Sequence, residues 1–146
     1  MTEEQIKKTM RDFVKALVEK DVDKALSFCT EDAIWSTPNG TFKGKEELRR
    51  YIEWTNRNVM DQKAVETGIK VVAQDNIGIY EHIIGGVVDG MKWETLALCV
   101  YEFKDDKVDN MRTVYDRLAV AKQAAKGYFA KYAVNGVVNA VEKGLH

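Results

Sequence analysis

The side chains best suited to moving a proton stand next to each other, Glu81 and His82, in the apolar run "IGIYEHIIGGVV". A carboxylate among apolar neighbours, or an imidazole near neutral pH, serves as a general acid or base. Strict strand alternation sends the two to opposite faces. A bulge at Gly85 and Gly86 would exchange their places, so the choice between them depends on that bend. Asp116, closing "KVDNMRTVYD", is the third carboxylate of interest, with Arg112 and Arg117 close enough in sequence to pair with it. Tyr51, Trp54 and Tyr115 could orient a ligand through hydroxyl or indole donors, although aromatics at helical and strand spacing are core residues first. No metal-ligand spacing, phosphate-binding glycine loop or nucleophile motif accompanies these residues, and no cofactor is expected.

Composition narrows the partners. The 146 residues carry 22 basic and 23 acidic side chains for a net charge of -1. That balance creates no field for nucleic acid or an anionic membrane, which leaves a small neutral or weakly polar partner. Cys29 and Cys99 lie in apolar runs without metal-like spacing and read as buried, reduced thiols. The charged start "MTEEQIKKTM" lacks a signal-peptide core, and no window approaches the run of about 20 apolar residues that spans a bilayer. The expectation is a soluble, cytoplasmic protein.

The elements that must hold these residues follow from periodicity. Ile6, Met10, Phe13, Val14 and Leu17 share one helical face. Asp21 caps a short second helix through "KDVDKALSFC". A first strand, "DAIWST", and the turn-rich "PNG" and "KGK" precede a third helix from Lys45 to about Val59, with Leu48, Tyr51, Ile52 and Thr55 on one side. The period then changes to that of strands in "AVETGIKVVA", "IGIYEHIIGGVV", "KWETLALCVYEF" and "KVDNMRTVYDRL", separated by "QDN", "VDGM" and "KDDK". Gly85 and Gly86 suggest a bulge or sharp bend in a curved sheet. A C-terminal helix through "AVAKQAAKGYFAKYAVNGVVNAVEKG" presents Ala121, Ala125, Tyr128, Phe129 and Tyr132 on one side. The plan is an α+β domain: a curved antiparallel sheet wrapped around N-terminal helices as a cone-shaped α+β barrel, with a C-terminal helix. The inside of the cone is the place for a ligand.

The stretch "FCTEDAIWSTPNGTFKGKEELRRYIEW", together with "KVDNMRTVYD", resembles the nuclear transport factor 2-like superfamily and, within it, the SnoaL-like branch. The resemblance covers nearly the whole chain and implies a single SnoaL-like domain over residues 1–146. That superfamily contains ketosteroid isomerases, limonene epoxide hydrolases, polyketide cyclases and non-enzymatic modules, so fold alone does not choose a function. The general base of ketosteroid isomerases falls on Thr37, whose hydroxyl cannot serve as a base near neutral pH. The aspartate, arginine, aspartate set of limonene epoxide hydrolases falls on Ile83, Gly85 and Thr113, and none is retained.

The same comparison puts Trp35, Thr37, Ile79, Glu81, Ile83, Trp93, Thr95, Ala97, Cys99, Met111, Thr113 and Tyr115 inside the cone. Glu81 is then the main titratable group of the lining, and His82 a second-rank candidate facing out. In polyketide cyclases an aspartate near Asp116 does acid and base work, while its plain reading here is a charge pair. The expected function is binding of a small, largely hydrophobic molecule such as a terpenoid, polyketide or aromatic. If chemistry follows, it is cofactor-independent proton transfer by Glu81, Asp116 or His82, with Trp35, Thr37, Tyr51, Trp54, Trp93, Thr113 and Tyr115 holding the ligand. The alternative is a binding module without chemistry, or a subunit that docks onto another protein. Leu96, Leu98 and Val100 would lie on the convex face, where the resemblance implies a homodimer contact.

Overall fold

A computed structural model describes residues 1–144. Two helices, α1 (Glu3–Val18) and α2 (Val22–Ser27), lead into β1 (Cys29–Thr37), β2 (Gly40–Lys43) and α3 (Gly44–Asn58). Four long strands follow, β3 (Met60–Gln74), β4 (Ile77–Val88), β5 (Met91–Lys104) and β6 (Lys107–Tyr115), and two helices close the chain, α4 (Arg117–Ala124) and α5 (Gly127–Val141).

Local chemistry accounts for most of these boundaries. Thr2 and Gln5 form a capping box at the start of α1, and Ile6, Met10, Phe13 and Val14 bury the face that their spacing defines. The Asp21 side chain accepts from the Lys24 amide at 3.0 Å and starts α2. Three two-residue turns join the long strands. Asp75, Asp89, Gly90, Asp105 and Asp106 occupy positive φ there, as tight hairpins between right-twisted strands require.

The sheet has the order β2-β1-β6-β5-β4-β3 and remains open. It is mixed rather than purely antiparallel, because β1 runs parallel to β6 while every other neighbour pair is antiparallel. The expected bulge at Gly85 and Gly86 does not occur in β4, whose pairing with β5 runs unbroken from Ile77↔Glu102 to Val88↔Met91. The irregularity lies in β3 instead, where register shifts between Met60 and Lys63 and again between Glu66 and Val71. The two glycines serve close approach: a Cβ on Gly85 would stand 2.7 Å from the Trp93 carbonyl oxygen, and one on Gly86 would stand 2.8 Å from the Met60 carbonyl oxygen.

α1 and α3 pack in the concave side of the sheet. Phe13 meets Trp35 and Tyr101 edge-on, with ring centroids 5.8 and 6.1 Å apart, and fills the narrow end. The C-terminal segment is two helices, not one. It breaks at Ala125 and Lys126, which are extended, before Gly127 at φ +79. As a result Tyr128, Phe129 and Tyr132 do not join the face begun by Ala121 and Ala125.

Candidate functional site

A cavity of about 370 Å³ opens between the concave sheet, α1, α3 and α4. Val14, Leu17 and Val18 of α1, Ile52 and Trp54 of α3, Ile84 and Val88 of β4, and Val120 and Ala121 of α4 supply much of its wall. Polar groups enter at a few points. His82, Trp93, Thr113, Cys99, Tyr51, Tyr115, Asn39 and Arg117 all reach the lining.

Strand pairing explains which side chains turn inward. His82 pairs with Ala97, which in turn pairs with Tyr115, so the three share one rung and one face. Tyr80, Cys99 and Thr113 form the next rung. Glu81 belongs to the opposite face with Leu98. Its carboxylate accepts from the Ile69 amide at 2.9 Å, and Gly68, at φ +55, packs against it inside the β3 irregularity. The inward orientation expected for Ile79, Glu81 and Ile83 is therefore corrected to Tyr80, His82 and Ile84.

The hairpin turn carries the signal that turns His82 inward. "VVDGM" contains an Asp-Gly pair suited to a two-residue turn, which pairs Val88 with Met91 and, counting back, His82 with Ala97. Once Ala97 faces the core, His82 must as well.

His82 is only 3% exposed, and its Nδ1 has no hydrogen-bond partner. The Tyr80 ring lies 4.4 Å away, centroid to centroid. Burial pulls the imidazole below its usual pKa, against smaller opposing effects of the Tyr80 backbone and Glu66, so the neutral ring is favoured. The Trp93 indole Nε1 is likewise buried without a partner. By contrast, Trp35 donates its indole N–H to Thr113 Oγ1 at 2.9 Å, and that hydroxyl stands 3.2 Å from Cys99 Sγ. Burial raises the Cys99 thiol to about 11 and the Cys29 thiol to about 12, and both cysteines are free.

At the mouth Asn39 donates to the Tyr51 hydroxyl at 3.2 Å, and Arg117 donates to the Pro38 carbonyl at 2.9 Å. Burial and the neighbouring Tyr51 raise the Tyr115 hydroxyl. Of the residues expected to hold a ligand, Trp35, Tyr51, Trp54, Trp93, Thr113 and Tyr115 line the cavity, while Thr37 does not. The Thr37 hydroxyl is used within the β1–β2 turn, accepting from the Asn39 amide at 3.0 Å and donating to the Gly40 carbonyl at 3.3 Å. Asn39 and Arg117 take the place at the rim, and the compact "TPNG" turn is what swings Asn39 there. Asp116 is exposed and caps α4 by accepting from the Ala119 amide at 2.9 Å. It pairs with neither arginine: Arg112 meets Glu102, and Arg117 meets Pro38. Among the described residues, no group of three His, Cys, Asp or Glu side chains is placed to hold a metal ion.

A family model for the SnoaL-like domain matches residues 10–111. The chain belongs to that family. No curated protein matches the sequence significantly. Solved structures share the SnoaL-like chain's fold at low identity. A hypothetical protein with a ketosteroid isomerase-like fold from Catenulispora acidiphila, in complex with trimethylamine, aligns with a TM-score of 0.75 at 13% identity over 82% of this chain and 93% of its own. An epoxide hydrolase from M. tuberculosis, similar to limonene epoxide hydrolase, gives 0.73 at 14% identity over 95% and 96%. A putative polyketide cyclase from Xanthomonas campestris gives 0.71 at 16% over 78% and 92%. These likenesses establish the fold of the SnoaL-like chain and leave its chemistry to its own residues. No described helix is long and apolar enough to cross a membrane.

Proposed function

We propose that the cavity binds a small, mainly hydrophobic organic molecule bearing an acceptor oxygen, and that His82 moves a proton on it without a cofactor. The observation that carries this reading is the pair of buried ring nitrogens, His82 Nδ1 and Trp93 Nε1, with no protein partner in the cavity they line. Such a group is costly to leave unmet, by about 1–3 kcal/mol, and a ligand atom removes that cost. The indole can only donate, so it calls for an oxygen or other acceptor on the ligand. The neutral imidazole has a free lone pair on one nitrogen, whereas burial raises the Cys99 thiol and the Tyr101 hydroxyl beside it and keeps them protonated. Neither Glu81 nor Asp116 reaches the cavity, so proton transfer falls to His82 in this reading. In an isomerisation it takes a proton from a carbon next to a carbonyl and returns it to another carbon of the same ligand, so nothing is consumed. Trp35, Tyr51, Trp54, Thr113 and Tyr115 shape the pocket around the molecule. The exposed leucines of the convex face suit a homodimer contact.

The test uses a panel of cyclic ketones, terpenoid epoxides and aromatic lactones. Binding is read by tryptophan fluorescence, and turnover or deuterium uptake at carbon by NMR. His82→Gln should lower the exchange or turnover rate at least roughly 100-fold while changing affinity only a few-fold. Trp93→Phe should weaken binding about tenfold through the lost donor. Undiminished turnover in the His82 variant would remove the proton-transfer role, and binding without turnover in the parent chain would leave a binding module.

A further inference from the structure

We infer that α5 is an exchanged arm that packs on the convex sheet face of a second copy of this chain. The helix is apolar around most of its circumference, its polar positions being confined to the stripe Lys131, Asn135 and Asn139 at four-residue spacing. A helix of that kind belongs inside a protein core or interface. Within its own chain, however, α5 buries only Val138, and its principal neighbour is α4. Tyr128, Phe129 and Tyr132 are 76%, 85% and 71% exposed.

The break between the two helices lays α5 against α4 with its aromatic face turned to solvent. Ala125 and Lys126 are extended, and Gly127 holds φ +79, a backbone state that costs glycine little. α4 itself is fastened to the domain, because the Gln123 amide both accepts from the Glu94 amide and donates to the Glu94 carbonyl, like an added rung on β5. α5 is thus held to the domain at its root through α4 and, at its far end, by Glu142 3.7 Å from Lys122, while its aromatic face stays uncovered.

The occupant follows from self-complementarity and area. The same chain exposes Leu96, Leu98 and Val114, adjacent on the convex face because Leu98 pairs with Val114. A two-fold pair covers both surfaces on both copies with one set of contacts. The three α5 aromatics alone expose on the order of 450 Å² of side chain. With the neighbouring valines of α5 and the leucine strip, this approaches the about 800 Å² per partner of a stable interface. A membrane-surface helix would carry a strongly charged face, whereas Lys131 is the one charged residue of α5. The inference rests on the convex face being self-associating and adds the element that covers it.

Sedimentation equilibrium of the full chain tests both parts. The parent should be a dimer, and the exposed-site double variant Phe129→Glu, Tyr132→Glu should raise its dissociation constant at least roughly tenfold with an unchanged circular dichroism spectrum. Copies bearing Tyr132→Cys, mixed with copies bearing Val114→Cys under oxidation, should form a disulfide between the two different chains. A dimer lost on Leu98→Lys but untouched by the α5 variant, with no mixed disulfide, would overturn the exchanged arm and leave the sheet contact standing. A monomeric parent would overturn both, as would a monomer that co-sediments with phosphatidylserine vesicles, which would assign α5 to a lipid surface.

Discussion

On the convex face of the sheet, Glu81 receives the Ile69 amide, Arg112 pairs with Glu102 and Lys63 with Glu94. On the concave face, one residue along from Glu81, His82 keeps a nitrogen without a partner, and so does Trp93. The contrast is physical rather than compositional. An exposed charge finds water or an opposite charge at little cost, whereas the buried His82 Nδ1, with the Tyr80 ring 4.4 Å from its own, meets no protein partner. The unmet polar atoms thus lie on the concave face, and the partnered carboxylate on the convex one.

The largest effect that would disturb this division comes from the narrow end of the concave side. Phe13 is fully buried against Trp35 and Tyr101, so Phe13→Ala should destabilise the fold by about 3–5 kcal/mol, seen in urea unfolding. Next is the convex irregularity. Gly68→Ala places a side chain at φ +55 and against the Glu81 carboxylate, and about 1–2 kcal/mol of stability should be lost. If unfolding shows no change, the β3 irregularity is not anchored as described.

A smaller effect separates the two neighbours by pH. Burial lowers the folded-state pKa of His82, so the unfolded chain, with its histidine near 6.5, takes up a proton first. The contribution of the neutral ring is complete above about pH 6.5 and is lost as the pH falls below it. Thermal melts of the parent and of His82→Gln should diverge in that direction, and parallel pH profiles would contradict a buried neutral imidazole. The smallest effect belongs to Glu81→Gln. It keeps an acceptor for Ile69, should shift stability by less than about 1 kcal/mol and should leave turnover unchanged. A loss of turnover there would return the proton to the convex residue and break the comparison.

Much of the fold was legible because its signals are local. The faces of α1 and α3, the Asp21 cap and the three tight turns lie within a few residues of the groups that cause them. The inward set Trp93, Ala97 and Cys99 on β5, with Met111, Thr113 and Tyr115 on β6, was also readable by alternation. The phase of β4 is encoded by the Asp89-Gly90 turn, but the family comparison sets it one residue out, placing Ile79, Glu81 and Ile83 inward where the register places Tyr80, His82 and Ile84. Thr37 stands at the wall in the family comparison, yet its hydroxyl serves the turn that follows it. Asp116 sits at a helix start, and its carboxylate goes to the Ala119 amide rather than to either arginine.

By itself the sequence determined the order of the first three helices and the long strands, the amphipathic faces and the family, since periodicity, caps and turn residues act over a few positions, while β2 and the break between α4 and α5 escaped it. Only the tertiary structure decided that β1 lies parallel to β6, that β3 takes up the irregularity facing β4, and that α5 leaves its own domain uncovered. Each of these depends on which distant segments compete for the same space. The site is of the same kind: Asn39 and Arg117 come to one cavity through turn geometry and helix closure, and the unpartnered state of the His82 and Trp93 nitrogens is a property of that packing.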